Sequence, residues 1–328
     1  MTPVTQPPIA PVDDPAAWTA PQIGGREGFT HRLSAEQIEA IDALVEATRG
    51  RVPHEISKAE FSSPVVDALM AAARWQIMHG AGAVILSGID AGRYDLDAHE
   101  RLYWGLGSHI GTGVEQSTRR DFIAHVQKEE GGPPRGYTTD MELRSHTDFH
   151  EILSLYSLRT SPRGGESGAV SLLAIHNIMA RERPDLLATL YDGAHMDWPE
   201  RAVPLEEKLP FFWTIDGRTS GFNNRVFMRG ERAPEAQPAL LREALALFDA
   251  IAARPDVRTD FLLQPGEMFF WHNFLVLHSR QQFHDTPDQR RLLLRLWLNV
   301  PGGRPIHPVM AGLTAEIDAF HGRVAEAV

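Results

Sequence analysis

Two histidines and one aspartate have the types and the spacing of a metal site. His146 and Asp148 are separated by one residue at the entrance to a predicted strand, Ile152–Leu158. Because alternate residues of an extended chain point to the same side, both side chains can face one ion inside a β-barrel. His278 ends the apolar run Phe269–Leu277 and is the candidate for a third ligand. Two imidazoles and one carboxylate leave coordination positions open, an arrangement typical of oxygen-activating Fe(II) sites.

The chain contains a second His-x-Asp pair, at His195 and Asp197, so this spacing alone does not identify a metal site. His195 follows a predicted helix and precedes the turn-forming pair Trp198-Pro199. We therefore interpret the second pair as structural and place the metal at His146.

A late strand is predicted to carry two arginines on one face. Its residues alternate with period two, which directs Arg291, Leu293, Arg295 and Trp297 to one face and Leu292, Leu294, Leu296 and Leu298 to the other. The leucine face must be buried, and the tryptophan indicates that the opposite face is covered too. Charged side chains are almost never buried without a partner, and a guanidinium suits a carboxylate. The pattern predicts a carboxylate-bearing cosubstrate beside the metal.

The composition limits the classes of function. A chain of 328 residues with 43% hydrophobic residues can bury a large core. Its formal net charge of −11 argues against nucleic acid and anionic membrane surfaces, because both attract basic patches. The absence of cysteine excludes disulfides, thiolate metal sites and cysteine nucleophiles. Any metal must therefore be held by nitrogen and oxygen atoms.

The N-terminal residues give no sign of export. The opening 1–15 is rich in proline and lacks the basic and apolar regions of a signal peptide. No apolar stretch is long enough to span a bilayer. We expect a soluble, cytoplasmic enzyme or small-molecule binder, and the sequence leaves its oligomeric state open.

The order of the predicted elements indicates one domain that is mainly β with flanking helices. Residues 1–30 read as a flexible N-terminal lead, and 31–328 as a single catalytic domain. Within it we expect a helical part over 31–120, a jelly-roll core over 121–305 and a C-terminal segment over 306–328. Many short strands buttressed by helices are typical of a β-barrel or jelly roll.

Local patterns place the individual elements. Helices are predicted from Ser34 to Gly50, from Ser63-Pro64 to His79, and over Leu96–Leu106, Asn177–Tyr191 and Ala239–Ala253, the last with Leu240 facing inward. Strands are predicted over Ala83–Leu86, Phe122–Gln127, Ile152–Leu158, Ala169–Ile175, Phe211–Ile215, Gly221–Met228, Phe261–Leu263, Met268–His272, Val276–Leu277 and Leu292–Val300. The strands lie largely in the second half of the chain, as a barrel closed by C-terminal strands requires.

Several motifs give the chain a family resemblance, which extends over nearly its whole length. They are Gly136-Tyr137, the run Glu142–Asp148, Gly164-Gly165-Glu166-Ser167, Gln264-Pro265-Gly266-Glu267, and His278-Ser279-Arg280 with the later Arg290-Arg291 and Arg295. With these motifs the sequence resembles the taurine dioxygenase-like (TauD/TfdA) family of Fe(II)/2-oxoglutarate-dependent dioxygenases. The resemblance implies a double-stranded β-helix, the jelly-roll core of clavaminate synthase-like enzymes.

The resemblance also implies roles for particular residues. His146, Asp148 and His278 would bind Fe(II). Arg291 would hold the far carboxylate of 2-oxoglutarate, assisted by the hydroxyl of Ser167, where many members have threonine. Arg295 matches a position near the C1 carboxylate of 2-oxoglutarate or an anionic group of the substrate.

The implied reaction uses O₂ and 2-oxoglutarate, releases succinate and CO₂, and hydroxylates an unactivated C–H bond. Related halogenases lack the carboxylate ligand, so Asp148 favours hydroxylation or desaturation over halogenation. The expected substrate is a small molecule that bears a carboxylate, with His150, Asn223 and Arg225 as candidate contacts. Arg280 is expected to form an ion pair.

Two rival interpretations remain open at the level of sequence. One is a non-catalytic jelly-roll binder or sensor, although a binder has no need for complete iron and cosubstrate sets. The other is a cupin-like metal enzyme that does not use 2-oxoglutarate, which leaves Arg291 and Arg295 without a role.

Overall fold

The computed structural model of the chain describes residues 9–117, 120–131, 136–196, 206–229 and 237–326, with side chains described as far as residue 321. Asp197 and the predicted turn at Trp198-Pro199 lie outside these ranges. The helices are α1 Ala20–Ile23, α2 Ala35–Ala47, α3 Pro64–His79, α4 Leu96–Gly107, α5 Leu172–Glu182, α6 Pro184–Asp192, α7 Ala239–Ala252 and α8 Pro308–Glu326. Short 3₁₀ turns lie at Gly25–Phe29, Pro53–Glu55, Ala91–Arg93, Gly136–Thr138 and Arg225–Phe227.

The strands alternate with these helices along the chain. They are β1 Thr30–Arg32, β2 Ala83–Ser87, β3 Thr112–Gly113, β4 Ala124–Val126, β5 Leu143–His146, β6 Ile152–Arg159, β7 Arg163–Gly164, β8 Ser167–Ser171, β9 Ala194–His195, β10 Lys208–Leu209, β11 Phe212–Ile215, β12 Arg218–Gly221, β13 Arg258–Phe261, β14 Met268–His272, β15 Val276–Arg280, β16 Phe283–His284 and β17 Leu292–Asn299. A seven-stranded sheet has the order β1-β2-β14-β6-β17-β3, with β4 also paired to β17. A four-stranded sheet has the order β13-β8-β15-β5.

The two sheets enclose one apolar cluster. Leu153 and Trp271 of the larger sheet share it with Ala169 and Val276 of the smaller sheet. Sheet-on-sheet packing of this kind is the architecture of a jelly roll. The double-stranded β-helix expected from the sequence is confirmed.

Strand β17 shows why its sequence alternates. Its four even-numbered leucines join the cluster beneath α3 and α4, on the outer face of the large sheet. Leu293 and Trp297 point the other way, into the space between the sheets. Arg295 shares their face by strand periodicity, so its guanidinium enters the barrel, as the sequence predicted.

Helix-start signals were reliable in the N-terminal part. Ser34 caps α2 by accepting a hydrogen bond from the Gln37 amide at 3.2 Å, with the reciprocal bond of a capping box. Ser63 caps α3, and Pro64 occupies its first turn. Helix α3 packs on β2 and β14 of the large sheet, and α2 packs against α3 and α4.

Two predicted elements around residue 180 were wrong. The strand expected over Ala169–Ile175 ends at Ser171, whose hydroxyl caps α5 by accepting from the Ala174 amide at 2.9 Å. The single helix expected over Asn177–Tyr191 is broken into α5 and α6 at Pro184. Proline has no amide proton and disfavours helical geometry in the preceding residue, so the chain turns at Arg183 (φ −146°).

Two further predictions failed in the region before and within α7. The strand expected over Gly221–Met228 does not form, because β12 ends at Gly221 and the chain continues irregularly into a 3₁₀ turn. Leu240 was expected to face inward but is 47% exposed, while Leu241 is buried. The difference is confined to the start of the helix, because Ala244, Phe248 and Ile251 are buried as predicted.

The N-terminal segment packs onto the barrel from residue 9 onward, whereas the sequence predicted a flexible lead over 1–30. Trp18 is buried and its indole donates to the Ala81 carbonyl at 2.8 Å. Asp14 forms a 2.7 Å ion pair with Arg304, which is also buried. A local sequence pattern does not predict these partners, because they lie far away along the chain.

None of the helices in the described ranges has the length and apolar character needed to cross a bilayer.

Candidate metal centre and cosubstrate pocket

The three predicted metal ligands converge at one edge of the small sheet. His146 and His278 are direct partners across the β5–β15 ladder, and their ring centroids lie 4.2 Å apart. Asp148 Oδ1 is 3.8 Å from His146 Nε2, and Oδ2 is 4.0 Å from His278 Nε2. Among the described residues these three form the one group of histidine and acidic side chains that could hold a metal ion.

A β-bulge brings the first histidine into position. The ladder pairs His146 with His278 and Leu143 with Arg280, so β5 contains one more residue than β15 over this span. Bulges re-aim side chains and are common beside active sites. The carbonyl of Arg144, inside the bulge, accepts a hydrogen bond from His146 Nδ1 at 2.7 Å. That bond places the ring proton on Nδ1 and leaves the Nε2 lone pair for a metal.

The electrostatics favour a neutral distal imidazole. Burial lowers the pKa of His278 well below its usual value, and the neighbouring His146 and Arg295 lower it further. Its ring centroid lies 4.9 Å from that of Trp271, which covers one side. A metal binds the unprotonated form of imidazole. The donor set of two imidazoles and one carboxylate therefore fits Fe(II).

The chain that follows His146 is held by amide side chains. Asn223 donates from Nδ2 to the Ser145 carbonyl at 3.2 Å, and its backbone amide donates to the Thr147 hydroxyl at 3.0 Å. Asn224 donates to the Thr147 carbonyl at 2.9 Å. These bonds explain why 222–224 leaves the strand conformation predicted there. Asn223, a candidate substrate contact by sequence, supports the metal-binding segment in this structure.

Arg291 forms a buried cationic site next to the small sheet. It is 3% exposed, and within the described ranges its Nη1 has no hydrogen-bond partner. Its guanidinium carbon lies 5.0 Å from the centroid of the Phe283 ring. Burial lowers the pKa of Arg291 to about 9, with Arg280 contributing, while Asp285 opposes the shift. A buried guanidinium without a partner is costly, and a carboxylate would supply the missing bonds.

The Gly-Gly pair leaves the space that this arginine needs. A Cβ on Gly165 would lie 3.2 Å from Arg291 Nε, and the residue has φ +84°. Gly164 has φ +78°, and a Cβ there would lie 2.1 Å from the Gln282 carbonyl oxygen. Ser167 follows, buried at the start of β8. The two glycines therefore leave room beside Arg291, and Ser167 supplies a hydroxyl two residues after Gly165.

Arg280 does not form the ion pair that the sequence suggested. Its Nη2 donates to the carbonyls of Gly136, Thr139 and Met141, the Thr139 bond being 2.8 Å long. No acidic partner within ion-pair distance is found for it in the described ranges. The carbonyls of this loop act as its partners, because a backbone turn presents several acceptors to one donor group.

Arg295 is clamped within the barrel. Its Nε donates to Gln116 Oε1 at 2.7 Å, and Gln116 returns a 2.8 Å bond to the Arg295 carbonyl. The guanidinium carbon lies 4.5 Å from the centroid of Tyr137 and 4.6 Å from that of Trp297. The two rings and the amide fix the direction of this half-buried cation.

Two other sequence candidates have protein partners in the structure. His150 is fully buried, with its ring 4.9 Å from Trp297 and its Nε2 3.4 Å from Asp318 Oδ1 of α8. Burial lowers its pKa to about 3. Arg225 pairs with Asp249 of α7. Their roles as substrate contacts stay predictions.

The comparison with sequence families shows to which family the chain belongs. The family model described as "Taurine catabolism dioxygenase TauD, TfdA family" matches residues 46–297, most of the chain. The chain belongs to the TauD/TfdA family. The family match, together with the His146, Asp148 and His278 group, makes the protein a non-haem iron, 2-oxoglutarate-dependent dioxygenase.

Two curated relatives and two solved structures show similarity to this TauD/TfdA protein. FR-33289 synthase from Streptomyces rubellomurinus is 27% identical over 90% of this chain and 92% of its own. Uridine-5'-phosphate dioxygenase from a Streptomyces species is 30% identical over 52% of this chain and 64% of its own. Asparagine oxygenase, solved with Fe(II), 3-hydroxyasparagine and succinate, has a TM-score of 0.65 and 16% identity over 86% of this chain and 98% of its own. The oxygenase OrfP, with iron and α-ketoglutaric acid, has a TM-score of 0.62 and 14% identity over 82% of this chain and 94% of its own. At these identities the structures establish the fold.

Proposed function

We propose that this dioxygenase hydroxylates a C–H bond of a small anionic molecule, with His146, Asp148 and His278 as the iron ligands and Arg291 and Ser167 as the anchor of 2-oxoglutarate. One observation carries the proposal. A three-ligand group with the donor set of Fe(II) lies in the same barrel as a buried guanidinium whose Nη1 has no hydrogen-bond partner among the described residues.

The protein's own groups bind and orient the reactants. The bulge on β5 and the Arg144 carbonyl present His146 Nε2 to the metal, and the low pKa of His278 keeps that ring neutral. The guanidinium of Arg291 would pair with the far carboxylate of 2-oxoglutarate, and the Ser167 hydroxyl would donate to the same group. Iron with 2-oxoglutarate and O₂ supplies the oxidising chemistry.

Arg295 is the proposed anion-recognition residue for the substrate or for the C1 carboxylate of the cosubstrate. It enters the barrel on the face of β17 that looks between the sheets, close enough to His278 to affect its pKa. Its geometry is fixed by Gln116, Tyr137 and Trp297 before any ligand binds. A pre-oriented guanidinium suits a planar carboxylate or a phosphate-like group.

The names of similar proteins support a substrate that bears a carboxylate or a phosphate group. Asparagine oxygenase was solved with a hydroxylated asparagine, OrfP with hydroxylated arginine, and a curated relative is a uridine-5'-phosphate dioxygenase. Amino acids and nucleotides share a carboxylate or phosphate group at one end. We therefore propose an amino acid or another small carboxylate-bearing or phosphate-bearing molecule.

The wider context of the reaction is also part of the proposal. A net charge of −11 supports a small-molecule substrate over nucleic acid or a membrane surface. We propose a cytoplasmic location and a single catalytic domain over 31–328. Packing of α3 on β2 and β14, and of α4 on β17, supports the single domain.

The test is anaerobic binding followed by turnover. Metal-free protein is titrated with Fe(II) and 2-oxoglutarate, and the metal-to-ligand charge-transfer absorbance is recorded for the wild type and for His278→Ala. We expect the band in the wild type and its loss in the variant. Succinate release is then measured with amino acids and nucleotides as candidate substrates. Absence of the band in the wild type would leave a metal site that does not use 2-oxoglutarate.

A further inference from the structure

One carboxamide holds the backbone of the carboxylate ligand from both sides. Asp148 lies between the end of β5 and the start of β6, where no strand partner satisfies its peptide groups. Its amide donates to Asn273 Oδ1 at 3.0 Å, and its carbonyl accepts from Asn273 Nδ2 at 2.7 Å. The same Nδ2 donates to the His150 carbonyl at 2.9 Å. Asn273 is completely buried, so water does not compete for these bonds.

The position of Asn273 links two parts of the proposed metal site. It lies in the turn between β14 and β15, five residues before His278. Its own amide donates to the Glu151 carbonyl at 2.8 Å, which ties the turn to the start of β6. The strand that carries the distal histidine and the segment that carries the carboxylate are therefore joined through one side chain.

We propose that Asn273 is the positioning residue of the metal site, fixing the Asp148 carboxylate at the distance from His278 that a shared ion requires. The inference rests on the proposed iron site. The physical reason is that 147–151 follows no ladder, so without the clamp its peptide groups would turn toward other partners. Each altered backbone angle would move the carboxylate, whose oxygens must lie near both imidazoles. Groups that orient metal ligands typically change metal affinity by about 10- to 100-fold when they are removed.

The chain contains a matched control for the same type of clamp. Asn177 also binds one residue from both sides, since it accepts from the Val12 amide at 2.7 Å and donates to the Val12 carbonyl at 2.8 Å. This second clamp fastens the N-terminal segment to α5 and contacts none of the three ligands. Asn177→Ala therefore reports what the loss of such a clamp does by itself.

The experiment measures Co(II) binding to the metal-free, full-length protein by visible absorption, with thermal unfolding as a check on folding. Asn273→Ala is expected to weaken Co(II) binding by about 10- to 100-fold, while Asn177→Ala leaves it within about twofold of the wild type. The decisive measurement is a double-mutant cycle with Asp148→Ala. In the Asp148→Ala background, Asn273→Ala should weaken Co(II) binding by less than about a further twofold, because the ligand through which Asn273 acts has been removed.

Three outcomes are distinguishable. Equal weakening of Co(II) binding by Asn273→Ala in both backgrounds would mean that the amide supports the whole segment, His146 included, and would overturn the inference. Unchanged binding in the wild-type background would overturn it too. If wild type binds Co(II) no better than His278→Ala, the proposed metal site itself fails.

Asn273→Asp is the second variant, used where Asn273→Ala does not fold. It keeps the size of the side chain but sets an oxygen against the carbonyls of Asp148 and His150. A negative charge near the ion would by itself strengthen cation binding. Weaker Co(II) binding by this variant therefore supports positioning, and stronger binding contradicts it.

Discussion

Replacing Arg291 by methionine should change cosubstrate affinity and protein stability in opposite directions. Methionine keeps a long side chain in the pocket and removes the charge. Arg291 is 3% exposed, and its Nη1 has no hydrogen-bond partner in the described part of the chain. The wild-type protein therefore carries an unfavourable buried charge that a bound anion would relieve.

The structure gives the size of both effects. A pKa lowered from 12.5 to about 9 corresponds to a penalty of about 5 kcal/mol for the charged form of Arg291. Loss of the contact with Phe283 and imperfect packing of methionine offset part of this gain, leaving a stabilisation of about 2 kcal/mol. Loss of a buried carboxylate partner costs about 3 kcal/mol, which weakens 2-oxoglutarate binding by about 100-fold.

Two measurements on one preparation test this prediction. Thermal unfolding of the metal-free, cosubstrate-free variant should show a midpoint raised by roughly 3 °C. An anaerobic titration of its Fe(II) complex should give the weakened affinity for 2-oxoglutarate. Arg280→Met is the control, because Arg280 donates to three loop carbonyls and its removal should lower the midpoint.

The opposite result would refute the reasoning. If Arg291→Met lowers the unfolding midpoint and leaves 2-oxoglutarate affinity unchanged, the guanidinium is a structural group with partners in the protein. The anchor of the cosubstrate would then have to be sought elsewhere in the barrel.

Three further predictions concern Ser167, Arg295 and Glu151. Ser167→Ala removes one hydroxyl donor and should weaken 2-oxoglutarate binding by about threefold to tenfold in the same titration; Ser167→Thr should restore it, and equal affinity in all three proteins would exclude the role. Arg295→Met should raise the KM for an anionic substrate by about 30-fold or more, measured by succinate release with each candidate substrate, whereas an unchanged KM would remove Arg295 from substrate recognition. Burial raises the pKa of Glu151 to about 7, so the folded protein binds this proton more tightly than the unfolded chain does. The free energy of unfolding should therefore fall by up to about 3 kcal/mol as the pH rises from 4.5 through 7. Glu151→Gln should flatten this fall in urea unfolding at a series of pH values, and an undiminished fall would assign it to other groups.

Much of the barrel could be predicted from the sequence because its signals are local. The alternation in β17, the serine caps of α2 and α3 and the apolar run of β14 each lie within a few residues. The failures share a different cause. The strand expected at 221–228 is absent where Asn223 and Asn224 bond to the backbone of residues 145–147, and the flexible lead expected at 1–30 packs through Asp14 and Trp18. In both places the residues that determine the conformation lie far apart in sequence, so a local pattern cannot predict their contact.

The site itself shows the same division. Its candidate metal ligands could be predicted from their residue types, because two histidines and one carboxylate that leave coordination positions open are typical of an Fe(II) site. The residues that hold them could not, since asparagine is common in turns and has no characteristic spacing. The β5–β15 ladder positions His146 opposite His278, but it ends before Asp148. Other contacts must therefore hold the Asp148 carboxylate beside the two imidazoles. A backbone that leaves a sheet inside a protein needs replacement partners for its peptide groups. The side chains of Asn223, Asn224 and Asn273 supply these partners to the segment that carries His146 and Asp148.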